Sequence, residues 1–190
     1  MSTGTKRPLC RATADAEALR GLFSGCYERW TVAGSVRRNK PEVGDIELVV
    51  IPKLAEVSDG GLFGEKKLVN LLWRRADDLV ASGAITKYVY QTTKGSQWRW
   101  GEKYRGIDFR GFNNEIFTAT PENWGAILLI RTGPADFSKR MVERFLNGGM
   151  YRQQGGSLIH VASGEQVKVP DEETYFRMLG MDFIKPEDRQ

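Results

Sequence analysis

The stretch "GSVRRNKPEVGDIELVV", residues 34–50, gathers a hydroxyl (Ser35), two guanidiniums (Arg37, Arg38) and two carboxylates (Asp45, Glu47) just ahead of a run of aliphatic residues. Residues two apart on a β-strand project to the same face. Asp45 and Glu47 therefore point together, and adjacent acids repel unless a cation lies between them. Oxygen donors alone favour Mg2+ or Mn2+. An exposed polar edge is the other reading of such a pair, although the following "LVVI" is a poor companion for it. A third acid on a neighbouring strand would complete a metal site, and "GIDFR" offers Asp108 between Ile107 and Phe109. Gly34 permits close approach of backbone to a ligand ahead of Ser35, and the forked guanidinium of Arg38 suits a phosphate. Phosphates and a metal in one pocket are the layout of phosphoryl or nucleotidyl transfer, where positioning and charge neutralisation do most of the catalysis.

The elements that must position these groups are readable in outline. The spacing of Ala16, Leu19, Leu22, Phe23 and Cys26 predicts a helix over 13–28, followed by a short strand in "WTVAGS". "DIELVVI" is the clearest strand and ends at Pro52. "KLAEVSDGGLFGE" reads as a glycine-containing loop. Residues 66–82 read as an amphipathic helix with Leu68, Val69, Leu72, Ala76, Leu79 and Val80 on one face, stopped by Gly83. "ITKYVYQT", "SQWRWGEK" and "RGIDFRGF" read as a three-strand meander. Beyond it, Thr120-Pro121 opens one helix and Pro134 another, "SLIHVASGEQVKVP" suggests a hairpin, and a last short helix in "DEETYFRML" stops at Gly180.

Composition narrows the chemistry. With 190 residues, 41% hydrophobic and 27% charged, the chain has an ordinary globular composition. The N-terminus "MSTGTKRPLC" has no apolar core, so no secretory signal is expected, nor any membrane association. Cys10 and Cys26 fit no metal spacing and are expected as reduced thiols. His160 is the sole histidine, which removes histidine-based triads and most zinc chemistry. Residues 1–111 carry 19 Lys and Arg against 13 Asp and Glu, whereas residues 112–190 carry 9 against 11. The basic first part suits a phosphate-bearing partner, with a solvated basic face as the alternative. In "QWRWGEKYR", Trp98, Trp100 and Tyr104 alternate with Arg99, Lys103 and Arg105, a pattern that either holds nucleic acid or packs in a core. Arg110 joins the same candidate basic set.

Taken whole, "GSVRRNKPEVGDIELVV" resembles the nucleotidyltransferase signature of family X DNA polymerases, the group of DNA polymerase beta. That pattern is Gly-Ser-x-x-Arg followed by Gly-Asp-x-Asp; Gly34, Ser35, Arg38, Gly44 and Asp45 fit it, and Glu47 stands at the second aspartate. "GIDFR" looks like the later strand with the third acid. "ILLIRTGPADFSKRM" is similar to the family's Thr-Gly segment through Thr132, Gly133 and Phe137, and "VPDEETYFRMLGMDFIKPEDR" is similar to its C-terminal ending. The resemblance implies an α+β fold: a catalytic palm with a mixed sheet flanked by helices over 29–112, a small helical and hairpin nucleotide-selecting (thumb) subdomain over 113–190, and an N-terminal helical segment over 1–28. It implies that Asp45, Glu47 and Asp108 bind two Mg2+ ions, with Mn2+ able to substitute. Ser35 and Arg38, with Gly34 and the amide of Gly44, would hold the β- and γ-phosphates, and Thr132 and Gly133 would lie against the nucleotide.

The implied reaction is attack of a primer 3′-hydroxyl on the α-phosphate of a deoxynucleoside triphosphate, releasing pyrophosphate. The implied enzyme is a repair-type DNA polymerase, monomeric, acting on primed or gapped DNA in the cytoplasm, or in the nucleus of a eukaryote. The departures are specific. Glu47 replaces an aspartate, Ile130-Arg131 replaces an aromatic pair, and Ser138 and Val142 replace an Asn and an Arg. Residues 1–28 are expected to be too short for the DNA-clamping domains of larger relatives. Transfer onto RNA, a small molecule or a protein, and a non-catalytic binding module, stand as alternatives. The Gly133-Pro134 step is expected to be cis and to accompany a preference for deoxynucleotides.

Overall fold

The computed structural model describes residues 6–58, 66–93 and 95–190. The chain begins with a two-residue strand β1 (Arg7–Pro8) and helix α1 (Leu9–Leu22), then β2 (Tyr27–Val32), the single turn α2 (Gly34–Arg37), β3 (Glu42–Val43) and β4 (Ile46–Pro52). An antiparallel ribbon, β5 (Leu54–Ser58) with β6 (Lys66–Asn70), leads into helix α3 (Leu71–Ala81). Next come β7 (Thr86–Lys87), the hairpin β8 (Val89–Thr92) with β9 (Gly95–Trp98), and the hairpin β10 (Tyr104–Phe109) with β11 (Phe112–Thr118). The C-terminal unit holds α4 (Trp124–Thr132), α5 (Ala135–Asn147), β12 (Tyr151–Gln154), β13 (Ser157–His160), β14 (Gln166–Val167) and α6 (Glu172–Met178).

Five strands form the main sheet in the order β2-β4-β11-β10-β7. β4 and β11 run parallel and the other pairs antiparallel. Alternation decides which face each side chain takes. Ile46, Leu48, Val50, Ile107, Phe109 and Ile116 pack against Ala12, Ala16 and Leu19 of α1 and Leu72, Trp73, Ala76 and Leu79 of α3. On the opposite face Val49 and Ile51 pack against Trp124 and Leu128 of α4. Glu47 belongs to this second face, just beyond the part that α4 covers. The C-terminal unit has its own core, with Leu129, Phe137, Met141, Phe145, Leu158, Tyr175 and Phe176 buried together. Gly125 lets α4 approach the backbone of Asp171, which a β-carbon would overlap.

Several expected elements shift. The first helix starts and ends earlier than 13–28, so that Tyr27–Val32 joins the sheet as its edge strand. Helix α3 begins only at Leu71 because Asn70 caps it, its side chain accepting from the Trp73 amide at 3.2 Å. Leu68, assigned above to the apolar helix face, lies on the ribbon and is 60% exposed. The expected loop 53–65 is strand as far as Ser58, and its remaining residues 59–65 lie outside the described residues, as do residues 1–5 of the N-terminus. The three-strand meander divides instead: β8 and β9 pair only with each other, while β10 pairs with β7 and β11. A division at 112/113 cuts through β11, which continues the sheet to Thr118. The 120–132 helix is capped at Asn123, whose side chain accepts from the Thr120 amide, in place of the expected cap at Thr120 itself. Among the described residues no helix is long and apolar enough to cross a membrane.

One buried ion network ties the sheet unit to the C-terminal unit. Glu172 accepts from Arg37 and from Arg189, each at 2.6 Å, and Arg189 also donates to the Ile184 carbonyl. Arg189 is fully buried and Glu172 is 3% exposed. Removing one partner strands a buried charge, which costs more than the intact network contributes. Glu172→Ala should therefore lower stability by about 3–5 kcal/mol in urea unfolding; a loss under about 1 kcal/mol, the scale of an exposed pair, would contradict a buried clamp.

Candidate active site

Gly34 ends the approach from β2 with φ +59° and begins the turn of α2. Its missing side chain matters twice. The positive φ favours glycine, and a β-carbon there would overlap the Oε2 of Glu47. The Gly-Ser turn and the second acid are thus packed on each other. Next to them lies a cleft of about 370 Å³ lined by Ser35, Arg38, Asp45, Glu47, Arg131 and Gly133, among others. The Ser35 hydroxyl and the Nε of Arg38 are buried without a hydrogen-bond partner. Such orphaned polar atoms are costly unless a ligand satisfies them. Burial lowers the pKa of the Arg38 guanidinium, with Arg189 adding to the effect and Glu47 and Asp45 opposing it.

The third acid of this constellation is Glu115. The parallel register of β4 and β11 sets Glu115 directly opposite Glu47, on the same face of the sheet. Burial, then the charges of Asp45 and Glu115, push the Glu47 carboxyl up to about 8, opposed by Arg131 and Arg38. Burial and Glu115 push Asp45 up to about 6 against the pull of Arg38. Asp108 does not join them. It lies on β10, where it pairs with Asn113 of β11, one strand further from β4, so the spacing of two strands, about 10 Å, separates it from the Asp45 end of β4. Its Oδ1 instead accepts from the Gly111 amide at 2.9 Å and closes the β10–β11 turn. Glu115 lies in "FNNEIFT", whose alternation of Phe112, Asn114 and Ile116 facing the core is a strand signal that runs across the expected boundary near Asn113.

Glu115 also borders a second cleft, of about 340 Å³, lined by Arg99, Lys103, Tyr104, Phe117, Arg131 and the Gly155-Gly156 turn, among others. Arg131 lines both clefts, its guanidinium 3.7 Å from the centre of the Phe117 ring. The Tyr90 and Tyr104 hydroxyls lie 2.9 and 2.8 Å from Oε1 of Glu115 and 2.5 Å from each other, so their two protons are shared among three contacts. Burial raises the pKa of both phenols, that of Tyr104 to about 12, so both remain donors.

The other expected site residues divide. Gly133 lines the first cleft. Thr132 does not: it is fully buried, its hydroxyl accepts from Arg37 at 2.8 Å and its carbonyl from Arg38. Gly44 is exposed and outside the cleft. Arg99 and Lys103 face the second cleft, but Arg105 is 5% exposed, donates to Asp77 and lies between Trp73 and Trp100. Arg110 is paired with the buried Asp15 at 2.9 Å. The burial of Arg105 removes it from the candidate nucleic-acid set, whereas Arg110 keeps about half of its side chain exposed beside its ion pair. The Gly133–Pro134 bond is trans, since no described peptide is cis; Pro134 stands as the extended residue before α5 and its carbonyl accepts from Ser138. The expected sugar preference loses its structural basis with that bond.

Residues 127–190 match the family model of the DNA polymerase beta thumb. The C-terminal third of the chain is similar to that thumb. The matched segment begins inside α4 and holds Arg131, Gly133, Glu172 and Arg189, so the thumb-like unit supplies one wall of both clefts and two members of the ion network. A search of curated proteins finds no match.

In donor type and charge the three acids suit a hard divalent cation. Among the described residues no group of three or more His, Cys, Asp or Glu side chains stands in a metal-coordinating arrangement, consistent with Glu47 packed on Gly34 and one oxygen of Glu115 held by other donors. The acid row thus offers charge and oxygen ligands rather than a formed coordination shell.

The raised acids make stability pH-dependent. Glu47 and Asp45 ionise at 4.5 and 3.8 without the fold but near 8 and 6 within it. The folded chain holds protons that the unfolded chain releases, so this stabilisation is complete below the unfolded values and lost as pH rises through 6 and 8. In metal-free buffer, urea unfolding should show stability falling by several kcal/mol between about pH 5 and 8.5. Glu47→Gln should remove most of that slope; a wild-type curve that is flat or rises over this window would contradict the burial of the two acids.

Proposed function

We propose that the chain is a metal-dependent nucleotidyltransferase that adds a nucleotide from a deoxynucleoside triphosphate to the 3′-hydroxyl of a DNA primer and releases pyrophosphate. The observation that carries this reading is the row of Asp45, Glu47 and Glu115 beside a cleft in which the Ser35 hydroxyl and the Arg38 Nε lack partners. The thumb match supports a DNA polymerase-like relationship and primed or gapped DNA as the acceptor.

In this reading the triphosphate occupies the first cleft. Ser35 donates its hydroxyl and Arg38 its Nε–H to phosphate oxygens, satisfying both orphaned groups. The acceptor lies in the second cleft, where Arg99, Lys103 and Arg131 favour phosphates. Asp45, Glu47 and Glu115 would hold Mg2+ or Mn2+, two ions in the full complement, which when bound neutralise the triphosphate charge and acidify the attacking hydroxyl. Glu115, between the two clefts, takes the proton of that hydroxyl. Arg131, lining both clefts, offsets charge as the pyrophosphate leaves. Arg37 positions the Gly-Ser turn by anchoring α2 to Thr132 and Glu172.

Incubation with Mg2+ or Mn2+, labelled deoxy- and ribonucleotides, and gapped, recessed or single-stranded primers tests the reading. Extension of the DNA primers supports it, extension confined to RNA favours an RNA acceptor, and no transfer to any acceptor contradicts it. Glu115→Ala should lower transfer by at least about 10³-fold, whereas Asp108→Ala should stay within a few-fold of wild type; the reverse ranking would return the third position to Asp108. Arg38→Ala should weaken triphosphate binding by about 1–3 kcal/mol and leave nucleoside binding unchanged. Unchanged triphosphate affinity would place the phosphates elsewhere.

A further inference from the structure

We propose that Tyr90 and Tyr104 are positioning residues for Glu115, a hydrogen-bonded pair of neutral phenols that holds one carboxylate oxygen so that the other does the chemistry. The proposal rests on the nucleotidyl-transfer reading above. Three polar groups converge on Oε1 of Glu115: the Tyr90 and Tyr104 hydroxyls at 2.9 and 2.8 Å and the Asn113 amide nitrogen at 3.2 Å. The two hydroxyls are themselves 2.5 Å apart, so their two protons serve three contacts: one phenol donates to Glu115 while the other donates to its neighbour. Among the described residues every hydrogen bond to Glu115 falls on Oε1, which leaves Oε2 for the acid row.

The surroundings fix both rings. Tyr104 stacks on Phe117 across the β10–β11 ladder with centroids 4.6 Å apart, and Arg131 covers Phe117 in turn. Tyr90 lies edge-on to Tyr88, with the Arg99 guanidinium 4.4 Å from its ring centre. Gly106, opposite Glu115 on β10, has no side chain, and a β-carbon there would overlap the Tyr90 ring. Its φ is not positive, so close approach rather than backbone freedom explains the glycine. The β8–β9 hairpin lies outside the main sheet, yet Tyr90 projects from it onto a carboxylate of that sheet.

Phenols suit this task better than cations. A lysine or arginine on Glu115 would orient it but would also cancel charge that a divalent ion needs. Two neutral hydroxyls orient the carboxylate and leave its charge in place. In the transfer step the acceptor hydroxyl gives its proton to Oε2 of Glu115 and its oxygen bonds to the α-phosphorus. The α–β phosphoanhydride bond breaks, and its electron pair leaves on pyrophosphate. A Glu115 free to rotate would offer either oxygen in several orientations and spend fewer encounters in the productive one.

The test is steady-state kinetics of primer extension by wild type, Tyr104→Phe, Tyr90→Phe/Tyr104→Phe and Tyr88→Phe, with thermal melts of each. The double variant should lose about 10–100-fold in kcat, the scale of removing partners that orient a ligating side chain. Its triphosphate KM should stay within about twofold, because the phosphate cleft is untouched. Tyr104→Phe alone should lose less and keeps the test open if the double variant does not fold. Tyr88→Phe, whose hydroxyl does not reach Glu115, should match wild type. An active wild type whose phenylalanine variants keep kcat within about twofold, or whose kcat loss comes with an equal change in KM and a lowered melt, overturns the positioning role alone. A wild type inactive on every acceptor overturns the nucleotidyl-transfer reading and this proposal with it.

Discussion

The parallel pairing of β4 with β11 brings Glu115 beside Glu47 and sets the course of the chain between them. Parallel neighbours need a long crossover, and here the connection carries the β5–β6 ribbon, α3, β7, the β8–β9 hairpin and β10. That length of chain builds one helical layer and supplies the hairpin bearing Tyr90. The same pairing fixes Glu47 opposite Glu115. A one-residue slip would turn every β11 side chain to the other face, sending Glu115 into the apolar layer under α1 and α3 and Ile116 toward the clefts. The aliphatic residues on the core face therefore hold the acids in register.

Two like charges set together on a half-buried face are destabilising by themselves, and the fold offsets this from several sides. Arg38 and Arg131 approach from the two units and lower the cost of ionising Glu47. Glu172, between Arg37 and Arg189, keeps those units together at the point where α2 meets the end of α4. Arg37 and Arg38 are adjacent in sequence yet differ in function. Arg37 spends both of its hydrogen-bonded groups on the joint, whereas Arg38 gives one to the Thr132 carbonyl and leaves Nε for a ligand.

Legibility from sequence followed the range of the interaction involved. "GDIELVV" shows strand and acid pair together because alternation and burial are local, and the start of α5 after Pro134 and the stop of α6 before Gly180 are legible for the same reason. The third acid was not local. "GIDFR" and "NNEIF" both place a carboxylate among apolar strand residues, and both project to the same face of the sheet; only strand order and parallel register select Glu115. The ribbon residues Lys66–Asn70 fit a helical stripe as well as a strand until β5 is known as their partner. The alternation in "QWRWGEKYR" mixed two roles, with Arg99 facing a cleft and Arg105 enclosed by tryptophans, a distinction that depends on where α3 packs.

In the proposed reaction Asp45, Glu47 and Glu115 act on a triphosphate held by Ser35 and Arg38. A crystal structure with Mn2+ and a non-hydrolysable deoxynucleoside triphosphate, with anomalous scattering to locate the metal, tests it most directly. Manganese is expected between those three carboxylates, with phosphate oxygens on the Ser35 hydroxyl and Arg38. Manganese at Asp108, or a nucleotide bound away from the Gly34–Arg38 turn, would contradict it.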